Sequence, residues 1–269
     1  MNGRRHRLKT TPAHTPADIR AFFDSTARNY TEQHGDAEKL LRYRITLIKS
    51  AANIRPGRVV LDIGCGPGHH LLAICNGMAK GVGIDFSPAM IEAANRRLAA
   101  SFPRPNVTFQ LDNSEELRTV PDQSVNVALC VGALEHMVDQ SKVLKNVHRV
   151  LKPGGRFLCL TPNSDYVWYS RIAPALGKET RHLSTDRFLT REELLLFLLN
   201  AGFERVSIAC WTFIPKGDMH LLTGMGLQVA DAIGRIFNLN ALRGGLLASG
   251  SKPYPDVDTP DSFSPTKSL

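Results

Sequence analysis

Disulfide cross-links, a structural zinc site and a membrane span are what this sequence most plainly does without. Its five cysteines, Cys65, Cys75, Cys130, Cys159 and Cys210, are odd in number and widely spaced, with no Cys-x-x-Cys pair and no histidine at ligand spacing. That usage reads as reduced thiols in a cytoplasmic protein, and no metal is expected. No run reaches the roughly 18 uninterrupted apolar residues a bilayer span requires. The basic leader with Arg4, Arg5, Arg7 and Lys9 has no apolar stretch behind it, so it does not read as a secretory signal. A repeat with a period of about 20–50 residues is also missing, which sets aside solenoids and propellers.

What is present is ordinary globular composition: 269 residues, 43% hydrophobic and 22% charged. That is enough apolar material for a sizeable core. The expected organisation is a basic disordered leader over 1–16, one domain over 17–253, and a disordered tail rich in Pro, Ser and Asp over 254–269. Lysine and arginine number 33 against 25 acidic residues, a formal net charge of +8. The excess favours anionic partners without choosing among nucleic acid, a phospholipid surface and an acidic small molecule.

Along the chain, short β-rich runs alternate with helical patterns. Strands are predicted at Arg58–Ile63, Gly81–Asp85, Val107–Leu111, Val125–Val131, Gly155–Thr161, Arg205–Cys210 and Leu246–Ser251. Helices are predicted within Ala17–Ala52 and over Gly68–Asn76, Ser87–Ala100, Ser141–Leu151 and Thr190–Ala201. Ser87-Pro88 is an N-cap and first-turn proline, and Thr190 with Glu193 is a capping box. The β-α-β alternation predicts a parallel sheet covered on both faces, with ligands beyond the carboxyl ends of its strands. Between the last two strands, Leu222, Met225, Val229, Ile233, Ile236 and Phe237 share one helical face.

The chemistry is expected at Leu61-Asp62-Ile63-Gly64-Cys65-Gly66-Pro67-Gly68, where the first strand ends in a glycine-rich turn. Glycines at 64 and 66 let a ligand approach the backbone. Asp85 ends the next strand, 23 residues beyond Asp62, placed to accept from both hydroxyls of a ribose. A dinucleotide fingerprint would want a small residue where His69 stands, so the turn departs from that pattern.

Taken with Gly83-Ile84-Asp85-Phe86-Ser87-Pro88-Ala89-Met90 and Leu151-Lys152-Pro153-Gly154-Gly155-Arg156-Phe157, these residues make the chain resemble the class I S-adenosylmethionine-dependent methyltransferases, in the branch that methylates small molecules, lipids and quinones. The resemblance runs from about Arg58 to Asn163. It implies an α/β, Rossmann-like doubly wound seven-stranded sheet whose last strand is antiparallel, with N-terminal helices and a helical cap in segments 163–189 and 211–243. S-adenosyl-L-methionine would be the cofactor. Asp62 would orient its amino group, Gly64 and Gly66 would pass under its methionine and ribose portions, and Asp85 would hold the ribose. Phe86 and Met90 would flank the adenine, Asp112 would accept from the adenine amino group with the Asn113 backbone at the ring edge, and Val131 with Gly132 would lie beside the sulfonium.

His136 is the candidate base. Tyr30 would close over the cofactor, and the cap residues Trp168, Tyr169, Arg171 and His182 would receive the acceptor. That acceptor is expected to be a hydrophobic or lipid-linked small molecule, with oxygen as the favoured atom. The amphipathic segment near His220–Asn238 suits a lid, a dimer face or a site of peripheral contact with the inner face of a membrane. Two other readings stand beside this one. An RNA methyltransferase is disfavoured because no RNA-binding module is recognisable, and a cofactor-binding assembly protein could keep the fold without turnover.

Overall fold

A computed structural model describes residues 10–28, 37–75, 79–211 and 239–255, with positions 229, 233, 234, 236 and 237 between the last two segments. Seven strands form one sheet in the order β3-β2-β1-β4-β5-β7-β6. They are β1 (Val59–Ile63), β2 (Lys80–Asp85), β3 (Val107–Leu111), β4 (Val125–Val131), β5 (Leu151–Pro162), β6 (Glu204–Trp211) and β7 (Gly245–Ser251). The first five pair in parallel, while β7 inserts between β5 and β6 and runs antiparallel to both, as expected. The chain winds outward one way through β2 and β3 and the other way through β4 and β5. The switch point therefore falls between β1 and β4, where a doubly wound sheet opens a crevice.

Strand alternation builds a core on each face. Along β4, Ala128 and Cys130 join Leu61, Val143, Leu194 and Phe157 on one side. Val127, Leu129 and Val131 join Ile48, Leu71 and Leu98 on the other. Helices α5 (Gln140–Val150) and α7 (Arg191–Asn200) cover the first face. Helices α2 (Ala37–Ala52), α3 (His69–Ile74) and α4 (Pro88–Ala99) cover the second. The caps form as read: the Ser87 hydroxyl accepts from Met90 N–H at 3.1 Å, and Thr190 and Glu193 make the reciprocal box.

Two regions differ from expectation. The strand predicted from Gly155 begins at Leu151, because Pro153, Gly154 and Gly155 are absorbed as a bulge between the Val125–Leu151 and Val127–Arg156 pairs. Order also begins before residue 17: Thr11 bridges Leu183, its N–H donates to the His182 carbonyl at 2.8 Å, and α1 (Pro16–Thr26) starts under a Thr15–Asp18 capping box. The cap segment 163–189 contains a π-helical turn, Trp168–Ile172, running into the short α6 (Ala173–Ala175). Of the amphipathic segment, Val229, Ile233, Ile236 and Phe237 are described and exposed. Tyr30, Leu222, Met225, residues 1–9 and residues 256–269 lie outside the described residues. No helix among the described residues is long and apolar enough to cross a membrane.

Candidate active site

Strand ends at the switch point, roofed by α1, enclose a cleft with an empty volume of about 770 Å³, part of it open to solvent. Gly64, Gly66, Asp85, Phe86, Met90, Asn113 and His136 all line it, so the structure brings together six of the nine residues expected at the cofactor with the candidate base. The two turn glycines serve different needs. Gly64 has φ +64°, and a Cβ there would lie 2.6 Å from the Ala133 Cβ, so this glycine is required by packing. Gly66 has φ +51°, and a Cβ would meet nothing within 4 Å. Its open side faces the cleft, as a ligand passing over the backbone needs.

Two buried carboxyls set the electrostatics. Asp85 accepts from the Gly66 N–H through Oδ2 and from the Ser87 N–H through Oδ1, each at 2.9 Å, tying the glycine turn to the start of α4. Burial raises its pKa to about 6 against the lowering effect of these backbone donors. Asp62, at the end of β1, is 1% exposed, and its Oδ2 is buried without a hydrogen-bond partner. Burial, with the Asp85 charge beside it, pushes Asp62 up to about 8. A carboxyl held this way is costly unless a cationic or hydrogen-bonding ligand completes it. An ammonium group fits that demand, whereas a pyrophosphate would bring negative charge beside Asp85.

Asp62 and three further groups of expected residues stand outside the lining of this cleft. Asp112 does not line the cleft: Oδ1 accepts from the Asn113 N–H and Oδ2 from both the N–H and the hydroxyl of Thr119, so it ties the loop that presents Asn113 and Ser114. Val131 is buried in the core one residue behind the lining Gly132. Trp168, Tyr169 and Arg171 do not line this cleft either. Tyr169 packs between Tyr166 and Phe188, the Lys178 ammonium lies 5.5 Å from the Trp168 ring centroid, and Arg171 is exposed. His182 stands nearer, its ring 6.1 Å from that of His136.

The structure adds residues the sequence did not reveal. His136 Nδ1 is 2.6 Å from Asp186 Oδ1, and the second oxygen of Asp186 accepts from the His182 and Leu183 N–H groups. Burial alone would raise the Asp186 pKa, but the bond to His136, its charge and these two donors outweigh burial, and the net shift is downward. Phe23 of α1 lies 5.1 Å from the His136 ring and 6.2 Å from Phe86, forming an aromatic roof. Asp186 is 50 residues from His136 in the chain, and no local spacing signals the pair. Among the described residues no cluster of three metal-ligating side chains occurs.

A sequence-family profile described as a methyltransferase domain matches residues 54–192. The chain belongs to the class I S-adenosylmethionine-dependent methyltransferases. The chain is 32% identical over 162 residues to a demethylmenaquinone methyltransferase of Symbiobacterium thermophilum, covering 57% of this chain and 62% of that one. It is 36% identical over 180 residues to a protein of Mycolicibacterium smegmatis named as a probable S-adenosylmethionine-dependent methyltransferase, covering 65% and 60%. The chain thus spans about three fifths of the length of these curated relatives. Among solved structures, a SAM-dependent methyltransferase from Thermotoga maritima superposes with a TM-score of 0.61 at 20% identity, covering 87% of this chain and 99% of that one. The [4+2]-cyclase SpnF superposes equally well, with a TM-score of 0.62 at 19% identity over 92% of this chain and 100% of that one, so the fold alone does not fix the chemistry.

Proposed function

We propose that the chain transfers a methyl group from S-adenosylmethionine to a hydrophobic, aromatic small molecule of the reduced-quinone type. The observation that carries the cofactor half is the buried Asp62 oxygen with no partner, beside an open glycine turn and a second buried carboxylate. When bound, the cofactor supplies an electrophilic methyl on a sulfonium. Asp62 would hold its ammonium group, Asp85 its ribose hydroxyls, and Gly64 and Gly66 would lie under the portion between. Phe86 and Met90 would flank the adenine, with Asn113 at its edge.

For the acceptor, the support is the relatives named as acting on demethylmenaquinone and in quinone biosynthesis, together with the aromatic roof. His136 would take the acceptor's proton. With its Nδ1–H given to Asp186, the ring carries its lone pair on Nε2. Oxygen is the proposed methyl acceptor; a relative in Geotalea daltonii named as a C-methyltransferase favours ring carbon as the second reading, and nuclear magnetic resonance of the product separates them. Exposed Val229, Ile233, Ile236 and Phe237, on a chain of net charge +8, support approach to an anionic membrane holding such an acceptor. The protein is then expected to sediment with anionic vesicles and to lose that property without residues 219–238.

Labelled methyl from S-adenosylmethionine is expected in a lipid extract and not in total RNA. Label in RNA, or binding of S-adenosylhomocysteine with no transfer to either, would overturn this reading. Affinity for the cofactor should also depend on pH in a defined direction. Asp62 ionises near 3.8 in the unfolded chain and holds its proton to about 8 in the ligand-free fold. Ligand-free stability attributable to this group therefore falls as pH rises through that window. The ammonium needs the ionised form, so affinity measured by calorimetry should rise from about pH 6 to 8, by up to about tenfold per unit, with proton release. Asp62→Asn should flatten the dependence.

A further inference from the structure

The His136–Asp186 pair joins two separate segments, and its geometry depends on what holds those segments at one spacing. His136 ends the 3₁₀ turn Leu134–His136, and Asp186 sits in the 182–187 loop. A backbone bond ties the two, from the Arg187 N–H to the Glu135 carbonyl at 2.8 Å. A further tie is a side chain that does not line the cleft. Gln140 is 3% exposed, and its Nε2 donates to the Leu134 carbonyl and to the Arg187 carbonyl, each at 3.0 Å. Both amide protons are thereby used, one on the turn that carries the histidine and one on the residue after the aspartate. The root of this strut is firm: Gln140 opens α5, whose N-cap Asp139 accepts from the Lys142 N–H at 2.9 Å. The amide oxygen of Gln140 is buried without a hydrogen-bond partner. An apolar side chain would fill the position without that cost, so what favours an amide here is its pair of donors.

We infer that Gln140 is a positioning residue for methyl transfer: by spanning the Leu134 and Arg187 carbonyls it sets the separation of His136 and Asp186. The inference rests on the function proposed above, in which His136 takes the acceptor's proton. Its link to rate is geometric. The carboxylate orients the imidazole through one short bond, 2.6 Å between Nδ1 and Oδ1. Moving the 182–187 loop by about 0.5 Å lengthens that bond beyond the range of strong charge-assisted pairs. The cofactor contacts proposed above stay in place, because none passes through Gln140. A protonated glutamate has one O–H to give and methionine has none, so wild type, Gln140→Glu and Gln140→Met form a graded series of donors.

The test uses the full chain saturated with S-adenosylhomocysteine and isotope-labelled at histidine, read by nuclear magnetic resonance, with turnover measured on naphthohydroquinone as acceptor. A short Nδ1–H bond to a carboxylate gives a proton signal far downfield, and its loss in both Asp186→Asn and His136→Gln assigns it. Gln140→Met should move that signal upfield or broaden it away. It should also lower kcat roughly 10–100-fold, the scale of a reacting group misplaced by about 1 Å, with KM and S-adenosylhomocysteine affinity changed by less than about twofold. Gln140→Glu should fall between, and it carries the comparison if Gln140→Met does not fold. Val147→Ala truncates a core residue on the same helix and should lower the thermal midpoint while leaving signal and kcat at wild-type values. Wild-type signal and kcat in Gln140→Met, or equal losses in Val147→Ala, overturn the role of Gln140 while leaving the base assignment intact. A shifted signal with unchanged turnover in Gln140→Met and in His136→Ala overturns the base assignment, and the positioning role with it. Absence of transfer by wild type overturns the acceptor class proposed above and leaves the signal to decide Gln140.

Discussion

Asp85→Ala is expected to lower affinity for S-adenosylhomocysteine by about 100-fold or more, while the protein stays folded. The direct part of the loss is the pair of charge-assisted bonds proposed to the ribose hydroxyls. The indirect part lies in the turn: Gly66 and Ser87 each donate a backbone N–H to this carboxylate at 2.9 Å, and alanine leaves both without their acceptor. Removing a buried carboxyl whose pKa is already raised to about 6 relieves part of that cost. The thermal midpoint should therefore fall by only about 2–6 °C, corresponding to roughly 1–2 kcal/mol in a domain of this size. Asp85→Asn separates the two parts. Its carbonyl oxygen keeps one backbone partner, so the midpoint should move less, yet the amide cannot accept from two hydroxyls and affinity should still drop by about tenfold. Calorimetry showing wild-type affinity in both variants would mean that the ligand does not occupy this cleft.

The cofactor half of the site was readable in the sequence because its determinants are local. A buried strand that ends in Asp62 and a glycine turn, followed by a second strand ending in Asp85, carries its geometry in a single β-α-β unit. The boundaries of β3 and β4 were readable for the same reason, since apolar runs flanked by polar turns leave little freedom in where a parallel strand stops. What was hidden depends on long-range contact. Asp186 reaches His136 only because the 182–187 loop is pinned on one side by Thr11 and Ala13 and on the other by the bond from Arg187 N–H to the Glu135 carbonyl. The cap residues are likewise placed by tertiary contacts. Trp168 and Tyr169 look like a ligand surface by composition, yet a π-helical turn packs Tyr169 against Tyr166 and Phe188 and away from the cofactor cleft. Asp112 shows the same limit at shorter range, because only the fold brings Thr119 back to occupy its second oxygen.

The His136–Asp186 pair carries the other large expected effect. His136→Ala should reduce turnover by about 10²–10⁴-fold, the range that a positioned general base contributes. Affinity for S-adenosylhomocysteine should change by less than about twofold, because none of the cofactor contacts proposed above passes through this ring. Asp186→Asn is the sharper variant. The amide still offers an oxygen to the His182 and Leu183 N–H groups, so the loop should persist, but it no longer presents a carboxylate to Nδ1. The imidazole is then free to adopt the tautomer with its proton on Nε2, which cannot accept another, and the imidazolium formed during turnover loses its counter-charge. A fall in kcat of about 100-fold with KM little changed is expected. A purely structural role for Asp186 predicts instead a loss of thermal stability with the pH profile intact. The profile decides between them: with S-adenosylmethionine saturating, so that Asp62 is already ionised, the acid limb of the wild-type profile should disappear in His136→Gln. Wild-type turnover in His136→Ala would show that the acceptor needs no base from this ring.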